Sequence, residues 1–450
     1  MRRCANESNL SQFFWSHPPG IIVNAITAPS EFFELTVDLV DRFHETRDWS
    51  KTLCEPLFVE DFVIQSMPDV SPTKWHLAHT SWFFEAFVLK PFCREYKEFD
   101  PDFNYLFNSY YNGIGDRHCR QNRGLVSRPD VSRIFDYRNY VNHAIHSLVT
   151  TSDESLWRSI APLLEIGIQH EQQHQELMLT DLKHVFWVNP THPVYVPAKI
   201  SESSDQSPSA WILIEGGLKE IGHDGAGFTF DNECPRHRVY LHPFELASRL
   251  VTNGEFIQFI EDGGYRKPEL WLSLGWAMVN QEEWGAPLYW IGKNRQWVQH
   301  TLSGMRAVNP AEPVCHVSYF EADAFARWSS ARLPTEAEWE IASRDSEKAD
   351  GAFAESSRFH PSAWVSNQGL NQMFGELWQW TSSSYSAYPG YKPAAGTLGE
   401  YNGKFMCNQY VLRGGSVATP KKHIRHTYRN FFPPSARWQF SGIRLARDPR

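Results

Sequence analysis

The feature that most restricts the fold is a helical period held from residue 153 to residue 187. Steps of alternating four and three residues through it meet Leu156, Ile160, Leu163, Gly167, His170, His174, Leu177 and Asp181. Residues at that spacing share one face of a helix, and a largely apolar face has to be covered by other elements. Comparable amphipathic stretches occur around 30 to 55, 71 to 90 and 131 to 150. Four such helices close their apolar faces most simply as a four-helix bundle, expected over residues 25 to 196 behind a short tail of residues 1 to 24.

The texture changes after "PAKISESSDQSPS", residues 197 to 209, which is rich in Ser and Pro, has little to bury, and reads as a linker. From 210 to 450 the chain carries short apolar runs ("WILIEGG", "HRVYLHPFEL", "YVLRGGS") among many Gly, Pro and Trp residues. Helical pieces such as "TNGEFIQFIEDGG" and "YFEADAFARWSS" are few, so this half is expected to be an irregular α+β domain. A chain of 450 residues is in any case long enough for two cores.

Charge and cysteine usage narrow the class of function. A net charge of −9 without a dense Lys/Arg run argues against nucleic acid and against an anionic membrane surface, leaving small molecules as the expected partners. Seven scattered cysteines with no C-x-x-C pair fit neither a disulfide framework nor a thiolate zinc site, and point to a reducing cytosol. No run approaches the roughly 20 apolar residues of a membrane span, and no signal-peptide core forms at the N-terminus. A soluble, cytoplasmic protein is expected.

The chemistry is concentrated in "HEQQHQELML", residues 170 to 179. His170 and His174 lie on the apolar stripe four residues apart, so both imidazoles can reach one ion. Gly167, one turn earlier, leaves room beside them. A second helix, "SPTKWHLAHTSWFFEAFVLK", opens with Ser71 at the N-cap and Pro72 at the first helical position, and its stripe runs Trp75, His79, Trp82, Ala86, Leu89. His76 lies about 100° around that helix and is expected outside the stripe or behind the ligands. A single inward histidine is more simply a hydrogen-bonded core residue. Three of them in one bundle would need three sets of partners, whereas one divalent metal satisfies all three. Three neutral imidazoles suit zinc, iron, copper or nickel and leave coordination positions open for chemistry. Glu176 falls about 200° around from His174 and is not counted as a ligand, while Gln173 flanks the pair and could hydrogen-bond something held there.

"MPDVSPTKWHLAHTSWFFE" and "HEQQHQE" resemble the DinB-like half of the ergothioneine sulfoxide synthases, the EgtB-type iron enzymes. "RLPTEAEWEIASR", "GELWQWTSSSYSAYPGY", "VLRGGS" and "RHTYRNFFPPSARWQFSGIRLARD" resemble, in order, the hallmarks of the formylglycine-generating-enzyme fold. The resemblance covers nearly the whole chain after about residue 25. It implies that His79, His170 and His174 hold a non-haem Fe(II), and that dioxygen drives C–S bond formation between hercynine (trimethylhistidine) and a cysteine thiol to give a sulfoxide. Gln173 matches the family residue that hydrogen-bonds the substrate imidazole.

"RNFF" corresponds to the family stretch that recognises hercynine. There Asn430 can meet a carboxylate or an imidazole, and Phe431 can face the trimethylammonium group, a contact worth about 1–2 kcal/mol when desolvated. Plain core packing is the competing reading of Phe431 and Phe432. The best-known relatives have Asp where this chain has Phe432, and that Asp helps to hold γ-glutamylcysteine. Its absence makes free cysteine the expected thiol, with γ-glutamylcysteine still possible. Tyr110 and Tyr111 in "NSYYNGIGDRHCR" resemble a branch with its active-site tyrosines on the bundle side, where a phenol could donate a proton. Arg120, and after it Arg117, could pair with the carboxylate of a cysteine substrate. Competing readings are a zinc-dependent DinB-type thiol transferase or hydrolase, a copper formylglycine-generating enzyme, and a ligand-binding module without chemistry. The copper enzyme needs a close pair of late cysteines where only Cys407 is present.

Overall fold

The computed structural model describes residues 29–197, 208–293, 296–346, 351–364, 369–393 and 397–449. The expected tail of residues 1 to 24, and residues 198 to 207 of the expected linker, lie outside the described residues. The first half is helical and the second is built on small sheets, as the change in texture leads one to expect.

Four long helices coincide with the four periodic stretches: α1 (Pro29–Thr52), α2 (Thr73–Phe84), α3 (Val131–Thr151) and α4 (Glu154–Val188). The last two start where an aspartate can cap. Asp130 accepts from the Arg133 N–H and Asp153 from the Leu156 N–H, each satisfying a backbone donor of the first turn. Contrary to expectation, Ser71 does not cap α2. Its hydroxyl accepts from Arg123 Nη1 (2.9 Å) and its N–H donates to Asp181 Oδ2 (2.8 Å), and Pro72 precedes the first helical residue. Beyond Phe84 the helix widens into a π turn, Glu85–Leu89, and ends at Phe92.

Gly167 permits a close approach between α4 and the end of α2. A methyl group there would lie 2.3 Å from Phe84 Cε1 and 2.6 Å from Cζ. The room left by the missing side chain is therefore filled by the Phe84 ring and not by the histidines. On the far side of α4, the buried Glu171 carboxylate accepts from Arg47 (2.7 Å), Arg138 (2.8 Å) and Ser50 (2.6 Å), tying α1 and α3 to α4.

In the second half, three helices open with reciprocal capping boxes: Thr252/Glu255, Ser318/Glu321 and Thr335/Glu338. The last of these lies in "RLPTEAEWE", where Arg332 also clamps Glu338 and Asp448. The central sheet holds strand Trp378–Ser384 between Tyr410–Arg413, antiparallel, and Ser441–Gly442, parallel, with Asn430–Phe432 at the edge. Arg413, of "VLRGGS", spans from this sheet to Glu340 (3.0 Å) and Glu336 (3.3 Å).

The two halves meet along α4. Gln169, Gln173, Glu176 and Lys183, spaced by four, three and seven residues, bond to His423, Tyr428, Trp378 and His316 of the second half. Between Gly167 and Phe186 the helix is therefore buried on nearly every face. No helix among the described residues is long and apolar enough to cross a membrane.

Candidate metal centre

His79 projects from α2, and His170 and His174 from successive turns of α4. Their ring centroids lie 4.6–4.9 Å apart, with interplanar angles between 62° and 77°. One ligand atom from each ring falls within 4.8 Å of the other two, and all three residues are buried. The helical period places His170 and His174 side by side, and the α2–α4 packing brings His79 to them.

The surroundings fix the rings. His79 stacks on Trp75 (4.6 Å, 15°) and on Trp82 (5.5 Å, 16°), residues one turn before and after it on α2. Its Nδ1 lies 2.6 Å from the Phe107 carbonyl, which leaves Nε2 facing the other histidines. His174 Nδ1 lies 2.8 Å from His76 Nδ1, and His76 Nε2 lies 3.1 Å from Asp181 Oδ2. His76 is thus fully inside, behind His174, and not on an outer face, because all twelve residues of α2 are buried. Arg123, missed in the sequence, holds its guanidinium 3.3 Å above the Trp75 ring.

The donor set suits a divalent cation. His79 Nε2 and both nitrogens of His170 are buried without a hydrogen-bond partner, which is costly unless something else takes them up. Burial, reinforced by the neighbouring imidazoles, drives the His79 and His174 pKa values well below normal, and burial brings His170 to about 3. Three neutral imidazoles with free lone pairs are what a metal needs. Glu176 turns away, its carboxylate accepting from Trp378, Ser416 and Thr419.

On the side facing the second half, the centre is walled by aromatic rings. Tyr401 lies 6.0 Å from the His170 ring and the same distance from Tyr110, and Tyr110 lies 4.6 Å from Tyr111. Tyr111 is fully buried and its hydroxyl has no well-formed hydrogen bond. Burial raises both phenol pKa values well above normal, so both stay protonated at neutral pH. The loop carrying them is tied to the second half: Glu400 accepts from the Gly113 and Asn112 N–H groups, and Lys404 donates to the Tyr110 carbonyl. Gln173 sits between Tyr401, which donates to its Oε1, and Tyr428, which accepts from its Nε2 at 2.6 Å. Nothing in the sequence singled out Tyr401 or Tyr428, which lie in irregular segments without a period.

The remaining candidates are dispersed. Phe431 stacks on Tyr385 (4.0 Å) and lies 6.0 Å from Phe405, itself 5.3 Å from Tyr110, so it continues the aromatic wall. Asn430 folds back to accept from the Phe431 N–H, and Phe432 packs against Trp438. By the period of two, those residues share the other face of the strand. Arg117 and Arg120 are exposed and donate to the carbonyls of Ser109 and Asp69. The structure does not bring these two arginines to the histidines. The buried arginine of that loop is Arg123.

Comparison with known proteins agrees with this architecture. The sulfatase-modifying factor enzyme 1-like domain matches residues 196–367 and 351–449. A formylglycine-generating enzyme of Streptomyces coelicolor is 29% identical over 258 residues, 47% of this chain and 79% of that protein. The hercynine oxygenase of Mycolicibacterium smegmatis is 30% identical over 415 residues, and that of Mycobacterium tuberculosis 31% over 412; each match covers 85% of this chain and 92% of the relative. Likeness at this level through the histidine bundle and the second domain together makes the chain a member of the hercynine oxygenase family.

Proposed function

We propose that the protein is a non-haem iron(II), dioxygen-dependent sulfoxide synthase that joins hercynine to a cysteine thiol. The observation that carries this reading is three buried, neutral imidazoles converging beneath an aromatic wall supplied by both halves of the chain. In the reaction, the imidazole C–H and the thiol S–H are lost, and a C–S and an S–O bond form. One oxygen atom of dioxygen enters the sulfoxide and the other leaves as water. An iron held by His79, His170 and His174 would supply the open coordination positions at which thiol and dioxygen meet.

The protein's own groups supply position and protons. Gln173, oriented by Tyr401 and Tyr428, retains an amide N–H and a carbonyl lone pair for the substrate imidazole. Phe431, stacked with Tyr385 and near Phe405, offers an aromatic face to a trimethylammonium group. Tyr110 and Tyr111, kept protonated by burial, would hold or deliver the proton needed at the sulfur. Phe432, packed on Trp438, offers no hydrogen-bond acceptor to a glutamyl ammonium, which supports free cysteine over γ-glutamylcysteine.

Turnover of hercynine, cysteine and dioxygen by iron(II)-loaded enzyme, with the sulfoxide identified by mass, tests the reading. A zinc-loaded protein as active as the iron form would favour the thiol-transferase alternative. A higher kcat/KM for γ-glutamylcysteine than for cysteine would overturn the choice of thiol.

A further inference from the structure

We propose that Asp181 and His76 form a relay that holds His174 as its Nδ1-protonated tautomer and so keeps its Nε2 lone pair directed at the metal position. The inference rests on the reading of His79, His170 and His174 as metal ligands, and it concerns two residues outside that set.

Hydrogen-bond polarity carries the argument. His76 Nδ1 and His174 Nδ1 are 2.8 Å apart, so one nitrogen bears a hydrogen and the other accepts it. The far end of His76 decides which. Its Nε2 lies 3.1 Å from Asp181 Oδ2, an oxygen that already accepts from the Ser71 N–H at 2.8 Å, so Oδ2 faces Nε2 as an acceptor and Nε2 carries the hydrogen. A neutral imidazole has one N–H, and therefore His76 Nδ1 is the acceptor and His174 Nδ1 the donor. His174 Nε2 is then bare, as a ligand must be.

The rest of the site agrees. Asp181 is 4% exposed, and its Oδ2 is held by the Ser71 N–H (2.8 Å) as well as by His76, while Thr180 Oγ1 lies 3.4 Å from Oδ1. The relay crosses from α4 to α2 and back, because His174 and Asp181 are two turns apart on one helix and His76 fills the gap from the other. His79 is oriented by the same logic through the Phe107 carbonyl, which also only accepts. Two of the three ligands thus have their Nδ1 hydrogen directed into an outer acceptor, the arrangement that raises ligand basicity and restricts ring rotation.

The test uses the full-length, metal-free protein with 15N-labelled histidine, and Zn2+ as the probe ion. The histidine nitrogen spectrum is expected to show His174 as the Nδ1–H tautomer. Zn2+ affinity, from competition with a chelating dye, is expected to fall about 10- to 100-fold in His76→Leu. His76→Asn, whose amide oxygen occupies the Nδ1 position, is expected to recover most of that loss, which a merely structural role would not do. An Nε2–H tautomer of His174 in the wild type, or wild-type affinity in a folded His76→Leu, overturns the relay while leaving the metal centre intact. If His76→Leu does not fold, the wild-type tautomer still decides. A wild-type protein that takes up no Zn2+ or Co2+ overturns the metal reading and the relay together.

Discussion

Replacing Glu171 by Gln should destabilise the bundle by about 3 kcal/mol. Glu171 follows His170 in sequence but points away from the metal position, into the seam between α1, α3 and α4, where its side chain is 1% exposed. Its Oε2 accepts from Arg47, and its Oε1 from Arg138 and Ser50. An amide can keep its oxygen for Arg138 and Ser50, but its NH2 then faces the Arg47 guanidinium, donor against donor. Removing one partner of a buried ion pair costs roughly 3–5 kcal/mol. Burial pushes this carboxyl up, yet Arg47 and Arg138 hold it at about 2 against an ordinary 4.5. That drop corresponds to roughly 3 kcal/mol at about 1.36 kcal/mol per tenfold change. Arg47 keeps Asn142 and Ser81, which favours the lower end of the range. The assay is urea unfolding of the metal-free full-length protein followed by far-UV ellipticity, which reports mainly on the long helices. Because the folded carboxyl is depressed, the stabilisation is complete above 4.5 and disappears as pH falls through about 2, where wild type and Glu171→Gln should converge. A loss below about 1 kcal/mol at neutral pH would refute the argument that this carboxylate neutralises the two guanidinium groups.

Gly167→Ala should lose up to about 2 kcal/mol, since overpacking against Phe84 costs roughly 1–3 kcal/mol and better helix propensity returns about 1. It should also weaken Zn2+ binding by moving α4 away from His79, and a more stable variant with unchanged affinity would show that the contact yields freely. Lys183 is buried, bonds to His316 Nε2 at 2.7 Å, and has its pKa pushed down by burial to about 8. Its burial penalty is complete below about 8 and fades as pH rises to 10.5, so Lys183→Met should exceed wild type in stability at neutral pH by up to about 3 kcal/mol. The gap should close toward pH 10.5, and a pH-independent difference would contradict the assignment. Tyr110→Phe or Tyr111→Phe should divert product from the C–S adduct toward cysteine sulfinate, measured by product ratio under air. An unchanged ratio in both variants would remove these phenols from the proton transfer.

The three-histidine cluster was legible because a rigid period links its members to their neighbours. Once residues 153 to 187 form one helix, His170 and His174 must share a face, and the Trp75–His79–Trp82 stripe does the same on α2. The choice left open for His76, between an outer face and a place behind the other histidines, has the same origin. A stripe read from spacing assumes one covered face and one wet face, and α2 is covered on all sides. The Ser71 cap was displaced by long-range partners, Arg123 and Asp181, that spacing does not reveal.

What local periodicity and composition could settle is a histidine-bearing helical bundle followed by an irregular α+β half, since these depend on repeat intervals of 3.6 or on their absence. Packing between distant segments decided the remainder: which arginine is buried, that Asp181 reaches His174 through His76, and that Tyr401 arrives from more than two hundred residues away to face Gln173. Those contacts come from chain closure over long separations, where side chains meet because whole elements dock, and no interval along a single segment encodes them.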